Sequence, residues 1–235
     1  MNTVAILAGG KATRLYPLTL EKPKSLIPIQ GRAFIDFQLE LLLQSGINRV
    51  ILCLGHLQNH LVDYINQGQP SFLKDLDIQF SLEEQPLGTG GAILHAIDLL
   101  GDDFGVLYGD SYLPIEYEKV FEEFRKSDKK AVMTVYRNDD RFDKSNVEFD
   151  GHQVVQYSKN NQTLDMKFID YGFLIFRREV FTEGGFPIQF DLSLVVEGLA
   201  SKGQILGFEV LNRFYEVGSF QGIQDLEAYL GGKEN

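Results

Sequence analysis

Leu7-Ala8-Gly9-Gly10-Lys11-Ala12-Thr13-Arg14-Leu15 begins where the short apolar run Thr3–Leu7 stops, and Lys22-Pro23-Lys24-Ser25-Leu26 follows it closely. An apolar run of this length ended by paired glycines reads as a buried strand entering a tight loop. Glycines at that point let backbone N–H groups approach a ligand closely. The carboxyl end of a parallel strand is where open α/β sheets bind ligands. Three cations, Lys11, Arg14 and Lys24, lie within fifteen residues of the glycines. Arg offers a planar fork to phosphate oxygens, and Lys a compact point charge. Taken alone, a glycine pair with a nearby lysine is equally a plain turn with solvated cations. The spacing is neither G-x-G-x-x-G nor a P-loop ending in G-K-S/T.

The rest of the first half repeats the alternation of strand and helix. Residues 49–54 (RVILCL), 78–81 and 104–108 (FGVLY) read as buried strands. Residues 35–44, 58–66 and 90–100 read as helices. This order predicts a mainly parallel sheet with right-handed crossovers. In the second half, residues 131–136, 146–149, 154–157, 171–176 and 205–210 read as short strands, with Asp150-Gly151 as a hairpin signal. The expected fold is α/β: a Rossmann-like, doubly wound, mixed and mainly parallel sheet with helices on both faces. No linker divides the chain, so residues 1–235 read as one domain. Residues 1–112 would form a nucleotide-binding half, and residues 113–235 an acceptor half that adds strands over the ligand.

Composition narrows the partners. A net charge of -11 over 235 residues disfavours a nucleic-acid surface, yet permits a local cluster of donors for a small phosphate. The opening MNTVAILAGG lacks a charged leader region and cleavage site, and no apolar run reaches the ~18 residues of a membrane span. A cytoplasmic protein with no membrane partner is the expectation. Homo-oligomerisation is left open. The single Cys53 reads as a small buried hydrophobe. The four histidines, at 56, 60, 95 and 152, lack metal-ligand spacing.

The segment LAGGKATRLYPLTLEKPKSLIPI resembles the signature of the nucleotide-sugar pyrophosphorylases, the sugar-1-phosphate nucleotidyltransferases, with Ala12 where that family usually has glycine. The resemblance implies a glycosyltransferase-A-like fold and transfer of a nucleotidyl group from an NTP to a sugar 1-phosphate, with pyrophosphate released. On that basis Leu7, Ala8, Gly9, Gly10, Lys11 and Thr13 would meet the nucleotide. Arg14 would hold the leaving phosphates, and Lys24 the reacting ones. Glu84-Gln85-Pro86-Leu87-Gly88-Thr89-Gly90-Gly91 matches the family's base loop, with Gln85 and Gly90 as base contacts. The P-L-G-T-G-G form is most similar to members using GTP with mannose- or heptose-type phosphates.

The resemblance also implies a Mg²⁺ site. Asp110 fills the family's G-D position, and Glu216 stands where a late Asp is usual. Glu ligates Mg²⁺ provided that its extra methylene is absorbed by backbone or water. On the acceptor side, Lys159 matches the family's sugar-phosphate cation, while Ser158 replaces its usual Glu. Asp170 and Gly172 match a segment beside the sugar, and Asn146 is a further contact. Two rival readings stand beside this one. One is transfer from UTP or CTP to another sugar, alditol or choline phosphate. The other is a nucleotide-binding regulatory protein without turnover, to which Glu216 lends support.

Overall fold

The computed structural model describes residues 2–68 and 70–232. In the first half the strands are β1 (Thr3–Leu7), β2 (Pro28–Ile29), β3 (Arg32–Ala33), β4 (Arg49–Leu54), β5 (Asp77–Leu82), β6 (Asp103–Tyr108) and β7 (Ser111–Tyr112). The second half adds β8 (Ala131–Arg137), β9 (Val147–Phe149), β10 (Val154–Tyr157), β11 (Phe168–Arg177), β12 (Ile205–Val210) and β13 (Tyr215–Glu216). The helices are α1 (Phe34–Gln44), α2 (Gln58–Asn66), α3 (Gly88–His95), α4 (Tyr117–Arg125), α5 (Glu179–Thr182), α6 (Ser193–Ala200) and α7 (Phe220–Gly231).

One nine-stranded sheet runs through both halves. β6, β1, β4 and β5 lie side by side and parallel. β11 is antiparallel to β6 on one side and to β8 on the other, and β12 joins β8 in parallel. The β9–β10 hairpin attaches where Phe168 of β11 pairs with Val147. The mixed, mainly parallel sheet therefore agrees with the alternation read along the chain.

Strand periodicity divides the core between the two faces. Val4 and Ile6 of β1 pack with α1, α2 and α4, whereas Ala5, between them, packs with α3, α5 and α6. Successive strand side chains point to opposite faces, so each β1 residue serves one layer only. Phe121 and Phe124 of α4 are fully buried, and burial of each such side chain contributes about 1.5–3 kcal/mol. Among the described residues no helix is long and apolar enough to cross a membrane.

A third cluster anchors the end of the chain. Leu226 and Leu230 of α7 pack with Leu15, Phe34, Tyr112 and Val217. This packing pins β13 against β7, an antiparallel pair that brings Glu216 opposite Ser111. The helix read over 90–100 instead starts at Gly88 and ends at His95, and the chain tightens into a 3₁₀ turn over Ile97–Leu99. There the Leu99 carbonyl accepts from the Arg49 guanidinium (3.3 Å).

Ala12 takes a left-handed backbone conformation, with φ 47° and ψ 48°. Its carbonyl accepts from Leu15 N–H (3.0 Å) and from the Thr19 hydroxyl (2.9 Å), so the turn holds it there. A Cβ in this region costs about 1–2 kcal/mol, which glycine avoids. Ala12→Gly should therefore raise stability by about 1 kcal/mol, after its larger unfolded-state entropy is offset. Urea titration at equilibrium measures this, and an unchanged or lower midpoint would contradict it.

Candidate active site

A cleft of ≈ 710 Å³ opens at the carboxyl ends of β1 and β6. The chain crosses from β1 outward to β4 and β5, then returns to β6 on the opposite side of β1. This reversal of strand order leaves a crevice between the loops that follow β1 and β6. Leu7, Ala8, Gly9 and Gly10 line one wall, and Tyr108, Gly109 and Asp110 the other.

Gly109 makes that closeness feasible. A Cβ there would lie 2.2 Å from the Leu7 carbonyl oxygen, so only glycine lets β6 end tightly against β1. Gly109 N–H donates to that same carbonyl (3.1 Å), and Asp110 follows at the crevice. The Asp110 carboxylate accepts from Lys24 Nζ at 2.8 Å, with both side chains largely shielded.

Glu216 arrives from the far end of the chain. Val217 N–H donates to the Asp110 carbonyl (2.8 Å), which sets Glu216 beside Asp110. The Glu216 carboxyl is pushed up to about 7, first by the crowding of protein around it and then by the Asp110 and Asp143 carboxylates. Lys24 and Arg14 oppose that rise. Water still reaches the side chain through the open cleft, so it is crowded rather than sealed. Two acids forced together in this way form a donor pair that a cation would relieve. Among the described residues no group of three or more His, Cys, Asp or Glu side chains could hold a metal. Two carboxylates side by side fit an ion that draws its other ligands from phosphate and water, as Mg²⁺ commonly does.

At the end of the cleft beside β5, Glu83 stands directly after that strand. Its carboxylate accepts from Leu87 N–H (3.1 Å), and burial raises its pKa against that bond. A Cβ on Gly9 would lie 3.4 Å from Glu83 Oε1 and 3.2 Å from Gly55 N, so Gly9, Gly55 and Glu83 are packed together. Pro86, Gly88 and Thr89 complete this end. Cys53 also lines it and is buried, and that burial, followed by the Glu83 charge, pushes its thiol up to about 12.

At the other end of the cleft, Asp170 is bracketed by Tyr108 O–H (2.9 Å) and Gly172 N–H (3.0 Å), both donating to its carboxylate. Burial pushes Asp170 up to about 6 despite these bonds. Asn146 accepts from Asp170 N–H (2.9 Å) and so fixes the two relative to each other. Lys159 Nζ donates to Asp191 at 2.9 Å. Burial alone would raise Asp191, but Ser193 N–H and Lys159 outweigh it and hold the carboxyl below its usual range.

Several of the residues singled out in the sequence come together here: Leu7, Ala8, Gly9, Gly10, Lys24, Asp110, Asn146, Lys159, Asp170 and Glu216 all line the cleft. Others stand elsewhere. Lys11, Thr13 and Arg14 are exposed outside the lining. The Arg14 guanidinium lies by Gly218, where an added Cβ would come within 3.2 Å of it. Gln85 and Gly90 do not line the cleft, whereas Glu83 and Gly88 do. Gly90 is filled against instead: a Cβ there would meet the Phe190 ring at 2.2 Å, and its N–H donates to the Phe190 carbonyl. Gly172 sits behind the cleft wall, with Ser111 Oγ 2.9 Å from the place of a Cβ. Ser158 is buried and turned to Glu197 and Asn161 N–H, so it contributes nothing to the lining.

Glu83, Tyr108, Asp143, Lys144 and Asp191 are cleft residues absent from the sequence-based set. Glu83 carried one legible signal, an acid directly after a strand of the parallel sheet. Asp191 carried none, because its loop is placed by tertiary bonds: Leu192 N–H to Thr89 Oγ1 (2.8 Å) and Phe190 N–H to the Leu87 carbonyl (2.9 Å).

A sheet whose reversal point carries a glycine loop, a strand-end aspartate and a paired lysine is a nucleotide-handling α/β design. The chain belongs to the nucleotidyl transferase family, whose model matches residues 3–183. It is 30% identical over 182 residues to a putative mannose-1-phosphate guanyltransferase of Sulfolobus acidocaldarius, covering 77% of this chain and 50% of that one. Over 115 residues it is 35% identical to the D-glycero-alpha-D-manno-heptose 1-phosphate guanylyltransferase of Campylobacter jejuni, covering 49% of this chain and 50% of the relative. The chain spans about half the length of these curated relatives. Among solved structures, HddC from Yersinia pseudotuberculosis complexed with GMP-PN superposes with a TM-score of 0.80 at 26% identity, covering 98% of this chain and 100% of HddC.

Proposed function

We propose that this protein transfers GMP from GTP to a mannose- or heptose-type sugar 1-phosphate, giving a GDP-sugar and pyrophosphate. The Glu83 carboxylate at the base end carries the choice of GTP. An ionised carboxylate only accepts, and it accepts best from two parallel donors. Guanine presents N1–H and N2–H₂ side by side. Uracil and thymine offer a single N–H between two carbonyls, which a carboxylate would repel. The mannose- or heptose-type acceptor draws support from the guanylyltransferases to which the chain is similar.

The chemistry follows from charge. At neutral pH the sugar phosphate is already anionic, so no general base is required. One of its oxygens bonds to the α-phosphorus while the α–β bridging bond breaks, and that electron pair leaves with pyrophosphate. The obstacle is repulsion between two anions, and catalysis of this kind is mainly positioning and charge neutralisation. Lys24, held at the crevice by Asp110, faces the reacting phosphates. Lys159, held by Asp191, receives the sugar phosphate, and Asp170 and Asn146 address its hydroxyls. Arg14, at the mouth, meets the leaving phosphates. Asp110 and Glu216 would hold Mg²⁺, which when bound supplies charge neutralisation at the α-phosphate.

Pyrophosphate release assayed with the four NTPs against mannose-, heptose-, glucose- and N-acetylhexosamine-type 1-phosphates tests the reading. Release confined to GTP with a manno-configured phosphate is expected. Preference for UTP or CTP, or NTP binding without release under any pairing, would overturn it.

Lys159→Ala should raise KM for the sugar phosphate about 10- to 100-fold, as for a lost hydrogen bond to a charged group, with KM for GTP changed little. Steady-state kinetics with each substrate varied in turn decides this. An effect confined to GTP would move Lys159 to the other subsite.

A further inference from the structure

A second cleft, of ≈ 630 Å³, lies beside the first. Segment 22–26 divides them: Lys24 and Ser25 line the first cleft, while Lys22 and Leu26 line the second. Its volume falls in the usual range for small-ligand sites. Leu26, Pro28 and Pro70 give it apolar walls, and Tyr64 and Gln67 add polar groups.

Its central feature is Asp36, on α1. This carboxylate is 2% exposed, yet it lines the cleft. Oδ2 accepts from the Tyr64 hydroxyl at 2.8 Å. Oδ1 has no hydrogen-bond partner among the described residues. A buried carboxylate oxygen left unpaired is costly, and native structures keep such atoms only where something supplies the missing donor. Burial raises the Asp36 pKa, and the Tyr64 bond, the Arg32 charge and the nearby Ala33 N–H, which does not reach hydrogen-bond geometry to Oδ1, only partly offset that.

The surroundings define the donor. Lys22, Arg32 and His60 line the same cleft. Arg32 is held in place by Glu40 (3.0 Å) and lies 4.6 Å above the Phe37 ring, so its guanidinium is pre-positioned. A cationic ligand would add a further positive charge to this wall. A ligand with a neutral donor at one end and an anion at the other satisfies both features.

We infer that this cleft is a second ligand site, for a small phosphate ester bearing hydroxyl groups, in which a hydroxyl donates to Asp36 Oδ1 and the phosphate meets Lys22 and Arg32. No covalent step is involved.

Calorimetric titration of the full chain with mannose 6-phosphate, inorganic phosphate and methyl mannoside, with the first cleft filled by GTP, tests the inference. Mannose 6-phosphate should bind with one-to-one stoichiometry and weaken about 10-fold or more in Lys22→Ala and Asp36→Asn, with no change in Lys159→Ala. Inorganic phosphate should respond to Lys22→Ala but not to Asp36→Asn. Should Asp36→Asn fail to fold, the surface variant Lys22→Ala still decides the outcome. Binding lost in Lys159→Ala but kept in Lys22→Ala would place the sugar phosphate in the first cleft and overturn the inference. So would no binding of mannose 6-phosphate up to about 10 mM, where a site of even weak affinity would register. Equal binding of mannose 6-phosphate by wild type and a folded Asp36→Asn would overturn the hydroxyl contact.

Discussion

Asp110→Asn is expected to lower kcat/KM by at least about 10³-fold while leaving the thermal unfolding midpoint within a few degrees of wild type. The size follows from weakening the hold on the cation that would neutralise charge at the α-phosphate: losing a single neutral donor to such charge is worth about 10²–10³, and losing a metal-holding carboxylate more. The fold should survive because Asn keeps the acceptor that Lys24 uses, now neutral, and because the backbone bond from Val217 N–H to the Asp110 carbonyl does not involve the side chain. The cluster of Leu15, Phe34, Tyr112, Val217 and Leu226 that holds the ribbon is likewise untouched. Pyrophosphate release across a range of Mg²⁺ concentrations, alongside circular dichroism, measures both halves of the expectation. Near-wild-type turnover in a folded Asp110→Asn would remove Asp110 from the chemistry.

The first half of the site was readable in the sequence because its geometry is local. β1 runs into Gly9-Gly10 and β6 into Gly109-Asp110 within a few residues, so strand, loop and functional side chain are consecutive. Even there, the motif points to Gln85 and Gly90, whereas the loop residues that line the cleft include Glu83 and Gly88, two positions earlier. Loop motifs carry no register of their own. What sets it is the end of β5 at Leu82 and the Phe190 ring, which occupies the space in front of Gly90. Phe190 is a hundred residues away in sequence.

The acceptor side was read less fully for the same reason. Lys159 follows β10 and was recognisable from its position, but its partner Asp191 comes from a loop that the chain pattern does not predict. Ser158 drew attention as a departure from the family, yet its hydroxyl lies against Glu197. The polar groups proposed for the acceptor hydroxyls are instead Asp170, which Tyr108 and Gly172 hold in place, and Asn146, which accepts from Asp170 N–H. Glu216 was found as a substitution in a late motif. Its neighbourhood with Asp110 required the β7–β13 pairing, made from two strands of two residues each, too short to leave a periodic signal.

Glu83→Gln is expected to invert the base preference. In the proposed complex two guanine donors meet a carboxylate that accepts at both oxygens. The amide keeps one acceptor and turns the other into a donor, which then faces guanine N–H. A site built for hydrogen bonding that is offered the wrong donor pattern discriminates by about 10⁴, because buried polar groups are left unpaired on both sides. Part of that is lost to water reaching the half-buried loop, so kcat/KM for GTP should fall about 10²- to 10³-fold. Uracil and thymine gain what guanine loses, since the amide presents an acceptor to their N3–H and a donor to a flanking carbonyl. kcat/KM for UTP or dTTP should therefore rise and overtake that for GTP. Leu87 N–H, which bonds Glu83 in the native loop, can bond the amide oxygen, so the loop retains its shape. Competition between GTP and UTP in one reaction vessel, read by the ratio of the two nucleotide sugars formed, measures the switch directly. A uniform loss with all four NTPs would instead make Glu83 a support for the loop, held by Leu87, and leave base selection to the backbone of Ala8, Gly9 and Gly88.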